Sequence, residues 1–307
     1  MWRQIIFNVD FYHLFYVFII YSFLGWIMET TFVSVKGKKF VNRGFMSGPF
    51  CPIYGTGASL FYVFLTPMGN NYALVFICGM TLATIVEYLT SVLLELIFNA
   101  KWWDYSQRRY NIKGRICLSI SLCWGFLSII MLEILQPAAL RLIDKMPLKF
   151  GEIFGYFIIA YIISDVTVTV CNIIKFNNKI KSIAEIRENI KERFANTQLY
   201  ENISEIKLKY DFSESKLLLE HLKQKVEEKA EGAKGLVLNK QKLLDSLDRL
   251  EIDFNDSIAK NKKMFDSFNA VEKRLIKAFP SLKSHYTKDE LIKEIRNHIS
   301  ASRNKKK

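Results

Sequence analysis

The sequence predicts an all-α membrane protein: a polytopic helix bundle of about five spans over residues 1–174, then a cytoplasmic helical, coiled-coil segment over residues 175–307. Three observations carry this reading. Five apolar stretches fill the first 174 residues, which hold only 13 Lys and Arg and 9 Asp and Glu. The remainder holds 30 basic and 21 acidic residues with the two signs interleaved, the pattern of a solvated helical face. Finally, Glu29, Glu87, Glu95, Glu133 and Asp165 lie inside or at the edge of the apolar stretches. Ionised groups there are costly, and they normally face a partner or a wet cavity.

The expected spans are Phe11–Val35, Cys51–Thr66, Tyr72–Phe98, Ile116–Leu135 and Gly151–Ile174. At a rise of about 1.5 Å per residue, four of them can cross a hydrocarbon core of about 30 Å. The second is different. It opens on GPFCPIYGTG, with two prolines and three glycines, so a broken or re-entrant approach to a short helix is expected. Irregular backbone survives at membrane depth only when it is packed in protein or lines water. The first stretch is too long for a signal-peptide core and has no small-residue cleavage pattern, so it reads as a retained span.

Basic residues accumulate in two connecting loops. Lys36, Lys38, Lys39 and Arg43 follow the first span, and Lys101, Arg108, Arg109, Lys113 and Arg115 follow the third. With five spans, these loops and the basic C-terminal segment share one side. The positive-inside rule makes that side cytoplasmic and puts the N-terminus outside. The net charge of +13 is thus expected to serve topology and anionic lipid, and no nucleic-acid partner is expected.

The polar groups inside the spans form stripes. Glu87, Ser91 and Glu95 recur every four residues on one helix face, the two glutamates about 12 Å apart. Asp165, Thr169 and Asn172 form a second stripe, and the two could face each other across an internal cavity. Such stripes suit a path or pocket for a cation, a proton or a polar solute. The structural alternative is that Glu29 and Glu95, near the interface, pair with Arg43, Arg109 or Arg115 and pin the helix ends together. Glu87 and Asp165 lie deeper and favour the functional reading, whereas Glu133 is expected to be solvated near an outer span end. Trp102 and Trp103 read as interfacial anchors. Gly25, Gly55, Gly57 and Gly79 read as sites of close helix approach. Five dispersed cysteines with no CxxC pair argue against structural disulfides or a thiolate metal site.

Several strings together resemble a known bacterial family. They are YSFLGWIMET (Tyr21–Thr30), NRGFMSGPFCPIYGTGA (Asn42–Ala58), EYLTSVLLELIF (Glu87–Phe98), KWWDYS (Lys101–Ser106) and NIKGRICLSISLCWG (Asn111–Gly125). They look like the multi-pass family called Putative ABC-transporter type IV, the CmpB-like permeases. The likeness covers roughly residues 11–125. It marks Glu29, Arg43, Pro52, Tyr54, Glu87, Glu95, Asp104 and Arg115 as motif residues, and it implies a permease. No GxxxxGK[ST] phosphate loop occurs, and Gly232–Lys240 has the wrong spacing, so an ATPase would be a separate subunit.

In the tail, Ile183, Ile186, Ile190 and Phe194 continue the fifth span as a helix. Ser213–Phe279 runs without proline, as one long helix or a hairpin turning at Gly232 and Gly235. Its apolar spacing with interleaved Lys and Glu favours self-association through residues 213–279. Thr287 and Glu290 match a capping box.

The leading expectation is a cell-membrane transport component, a permease moving an unidentified solute with Glu87, Ser91, Glu95, Asp165 and Thr169 in its interior. The alternative is a non-transport membrane scaffold whose tail recruits a cytoplasmic partner. No enzyme, cofactor or metal site is expected. An embedded enzyme, the third reading, would have Glu29, Glu95 and Asp104 as its only acid–base candidates, with no nucleophile or metal set beside them.

Overall fold

In a computed structural model of the chain, the residues described are 1–195, 224, 237–279, 281–286, 291–293, 295–297 and 299. The chain is mostly helical and forms two compact units. The first comprises Met1–Lys175 together with Asn269–His285, and the second comprises Phe176–Phe268 and Tyr286–Lys307.

Among the described residues, four helical stretches are long and apolar enough to cross a membrane: Phe11–Gly37, Tyr72–Phe98, Leu118–Asp144 and Leu148–Ile186. They expose many leucines, isoleucines and phenylalanines, among them Leu89, Leu96, Phe157 and Ile163. Apolar residues facing outward along several long helices are what a bilayer requires and water penalises. Helix α1 is Phe11–Gly37, capped at its start by the Asp10 carboxylate and ended by Lys38 in the left-handed region. Helix α2, Pro52–Phe64, has only 13 residues and starts with proline, as the glycine–proline run predicts. Helix α3 is Tyr72–Phe98, capped by the Asn71 side chain.

The fourth apolar stretch is longer than its expected end at Leu135. Helix α4 (Leu118–Ile130) passes through a π turn at Met131–Leu135 into helix α5 (Gln136–Asp144). Pro137 explains the turn. It has no amide hydrogen for the Glu133 carbonyl and its ring crowds that oxygen, so the preceding amide, of Gln136, bonds back to Met131 instead. Helix α6, Leu148–Ala195, carries the fifth stretch on into the tail.

The short α2 begins halfway along α1, because the Cys51 amide donates to the Ser22 carbonyl at 2.9 Å. A Cβ on Gly55 would meet the Phe18 carbonyl at 2.4 Å, and one on Gly25 would meet the Tyr54 ring at 2.3 Å. Only glycine permits this approach. Gly57 differs from its expected role, since a Cβ there would meet nothing within 4 Å.

Each end of the bundle is identified by its contacts. At one end, His13 bonds to Asp144 at 2.8 Å and the Tyr16 hydroxyl donates to the Gly151 carbonyl at 2.6 Å. At the other lie the basic loops, residues 38–51 and 99–117.

Whether as one long helix or as a hairpin turning at Gly232 and Gly235, the tail helix was expected to run on to Phe279, and it breaks before that. Helix α7 is Val237–Asp266, and a separate helix α8, Ala270–Ala278, follows. Asn269 stops one and starts the other: its side chain accepts from Glu272, whose carboxylate returns to the Asn269 amide. Within the second unit, the rings of Phe176 and Phe268 lie 5.8 Å apart and Lys179 donates to the Ser267 carbonyl at 2.9 Å. Residues 213–223 and 225–236, and the Thr287–Glu290 box, lie outside the described residues.

Candidate functional site

The basic end of the first unit gathers most of the sequence-predicted site residues, and backbone hydrogen bonding explains how. Residues 42–50 approach the bundle interior with no regular secondary structure, so their polar backbone groups need partners. Asp165 on α6 accepts from the Ser47 amide at 3.0 Å and the Gly48 amide at 2.8 Å. Thr169, one turn on, contacts Ser47 at 3.2 Å. The carbonyls go the other way. The Arg274 guanidinium, on α8, donates to Gly44 at 2.8 Å, Met46 at 2.9 Å and Phe45 at 3.2 Å. The Asn42 side chain takes the Gly44 amide and the Trp26 indole. A Cβ on Gly48 would strike the Tyr161 hydroxyl and the Asp165 carboxylate, so glycine is required there. Asp165 and Thr169 therefore brace this loop, and they share no hydrogen-bond partner with Glu87.

A second layer pairs acids with bases. Glu29 accepts from the Tyr54 hydroxyl at 2.6 Å and lies 3.5 Å from Arg43. Arg43 also donates to the Ala278 carbonyl and lies over the Phe279 ring. Glu95 pairs with Arg115 at 2.5 Å and with His285 at 2.8 Å. Asp104 accepts from the Ser106 amide and from Lys283 at 2.8 Å. The Lys283 ammonium is the main reason the Asp104 carboxyl is held down at about 2. Burial lowers the Arg274 pKa, and the nearby Asp165 charge opposes that shift. Pro52 opens α2 and directs Tyr54 toward this layer.

Glu87 is the exception. It is 6 % exposed, and its partners are neutral: the Tyr105 hydroxyl at 3.1 Å and the Trp124 indole at 3.2 Å. Burial and the Glu87 charge both push the Tyr105 phenol up. Among the described residues no basic side chain pairs with Glu87. It lines a cavity of about 140 Å³ between α1, α2, α3 and α4, walled by Tyr21, Tyr54, Gly57, Phe61, Ala83 and Trp124 among others. Ser91 is buried one turn further along α3.

Trp102 is no interfacial anchor. It is 5 % exposed and packs edge-on against Phe279, with ring centroids 4.7 Å apart. Phe45 and Phe98 close the same cluster. Ala100 and Lys101 pair as a short antiparallel ladder with Ser284 and Lys283. Sequence reasoning missed Arg274, Phe279, Lys283 and His285. Their one visible signal was Pro280 ending the helical run, and nothing in it announced docking onto the bundle. Among the described residues no group of three His, Cys, Asp or Glu side chains is placed to hold a metal.

The family model described as Putative ABC-transporter type IV matches residues 16–170. Searches of curated proteins and of solved structures returned no match. The matched segment contains Glu29, Arg43, Glu87, Glu95, Asp104, Arg115 and Asp165, while Arg274 and its neighbours lie beyond it.

Proposed function

The chain belongs to the Putative ABC-transporter type IV family, and from that membership we propose that it is the permease-like component of a membrane transport system. One observation supports this most: Glu87, a buried carboxylate without a cationic partner among the described residues, lies on the wall of a cavity bordered by four helices. Buried acids are ordinarily paired or neutralised, and an unpaired one inside a membrane bundle marks a solute or proton path. The acids nearer the basic end have cations of their own and hold the helix ends and loops in place. In this reading the basic loops face the cytoplasm, the N-terminus lies outside, and a separate ATPase subunit couples to the basic end. The chain performs no enzymatic step.

The test replaces Glu87 by Gln, whose carbonyl can accept from the Trp124 indole and whose amide can donate to the Tyr105 hydroxyl, while the charge is removed. In a host lacking the native protein, wild type should restore the transport phenotype, and Glu87→Gln at equal membrane abundance should not. Full restoration by Glu87→Gln would refute the proposal.

Deleting residues 176–307 would not separate this reading from the scaffold alternative. That deletion also removes Arg274, Phe279, Lys283 and His285 from the basic end, so loss of activity would not identify a scaffold. The discriminating variants instead change exposed residues of α7, such as Ile252, and leave 269–285 intact.

A further inference from the structure

The cavity beside Glu87 holds chemistry more selective than a general polar path needs. At about 140 Å³ it is close in size to an engineered apolar cavity of roughly 150 Å³ that takes up benzene. Its walls are aliphatic and aromatic, with Glu87 as the sole carboxylate. Such walls cannot replace the water shell of a small inorganic ion. They suit a weakly hydrated cation that carries its own hydrocarbon. The Tyr54 and Trp124 rings, with centroids 5.6 Å apart, stand at the same cavity. Aromatic faces attract alkylammonium groups, the more so when water is excluded. The Tyr21 hydroxyl, buried in the wall, has no hydrogen-bond partner among the described residues. Leu24, Met28 and Leu135 form the rim and are 40 %, 47 % and 37 % exposed, so the cavity opens sideways toward lipid.

We propose that this cavity binds the head of a single-chain amphiphilic cation, an alkyl- or trimethylammonium group, whose chain leaves between α1 and the π turn into the bilayer. This rests on the reading of the cavity as the transport site. The Glu87 charge supplies the counter-ion and excludes anionic and phosphate-bearing heads. The cavity volume admits a trimethylammonium head. Gly57 keeps the space open, because a Cβ there touches nothing.

The probe is dodecyltrimethylammonium, with dodecyl sulfate as the control of equal chain length, titrated onto the full chain in lipid nanodiscs and corrected for partition into lipid. Wild type should bind the cation saturably and the sulfate not at all. Glu87→Gln should weaken cation binding at least tenfold. Gly57→Leu, which fills the space, should abolish binding while the thermal transition is retained. Equal cation affinity in wild type and Glu87→Gln would overturn the proposal by itself, as would saturable competition by dodecyl sulfate. If Glu87→Gln loses the transport phenotype while wild type fails to bind the cation, the ligand class is wrong and the transport reading stands. If wild type binds as expected and Glu87→Gln transports normally, the binding site stands and the transport reading fails.

Discussion

Arg274 offers the sharpest test of how the basic end is built. It lies on α8, more than 220 residues along the chain from the carbonyls of Gly44, Phe45 and Met46 that it holds. Arg274→Ala removes three charge-assisted hydrogen bonds and leaves three carbonyls in a partly buried loop. A bond to a charged group contributes about 1.5–3 kcal/mol, and part of the loss is recovered where water enters. A net cost of about 3–4 kcal/mol for docking of 269–285 follows. At about 1.4 kcal/mol per tenfold, the undocked population should rise some hundred- to a thousandfold. Cleavage by a lysine-specific protease at Lys273, Lys277 and Lys283 reads this population when opening is fast relative to cutting. Arg274→Lys should fall between the two, because an ammonium cannot span three carbonyls as a planar guanidinium does. A cleavage rate in Arg274→Ala equal to wild type would refute the claim that this side chain secures the loop.

Other consequences follow from the same geometry. Asp104 is held near pH 2 by Lys283 against an ordinary value of 3.8, so its stabilising share is complete above about pH 4 and is lost as the pH falls toward 2. Asp104→Asn should therefore lower the thermal transition at pH 6 by the equivalent of about 1–2 kcal/mol and flatten its fall between pH 4 and 2. An unchanged acid profile would contradict the Lys283 pairing. Gly55→Ala should lose folded protein in the membrane fraction, because its Cβ would meet backbone at 2.4 Å, whereas Gly57→Ala should melt like wild type. Similar yields and melting for both would be evidence against the α1–α2 contact. Asp165→Asn should lower thermal stability by about 1–3 kcal/mol, since it loses a charged acceptor for two loop amides. Glu87→Gln should change stability little. The reverse order would exchange the roles assigned to the two acids.

The bundle was legible in the sequence because bilayer crossing imposes long apolar runs, and their lengths are countable. The break before α2 was legible too, since Pro49 and Pro52 disfavour helix in the residues that precede them, and Pro52 suits a first helical position. Pairing of Glu29 with Arg43 and of Glu95 with Arg115 followed from depth alone: acids at a span end meet bases in the adjacent loop. For Asp165, a position inside a span suggested a solute path; that it also accepts from the Ser47 and Gly48 amides of an irregular loop is something periodicity along one helix cannot reveal. The fourth stretch runs past its expected end at Leu135, because a π turn lets the helix pass Pro137. Docking of 269–285 was illegible, since contacts between Arg274 and carbonyls near residue 45 involve backbone groups that carry no sequence signature.

If the Glu87 cavity is a solute path, it must admit solute from an aqueous face as well as open sideways toward lipid. Gly57→Cys puts a thiol in its open space, in a chain whose five native cysteines are replaced. The measurement is modification of that thiol by a membrane-impermeant cationic methanethiosulfonate applied to each face of the membrane in turn. Modification from the basic-loop face, slowed several-fold by Glu87→Gln, is the predicted result. Reaction only with a lipid-soluble maleimide, and none with the impermeant cation from either face, would contradict it.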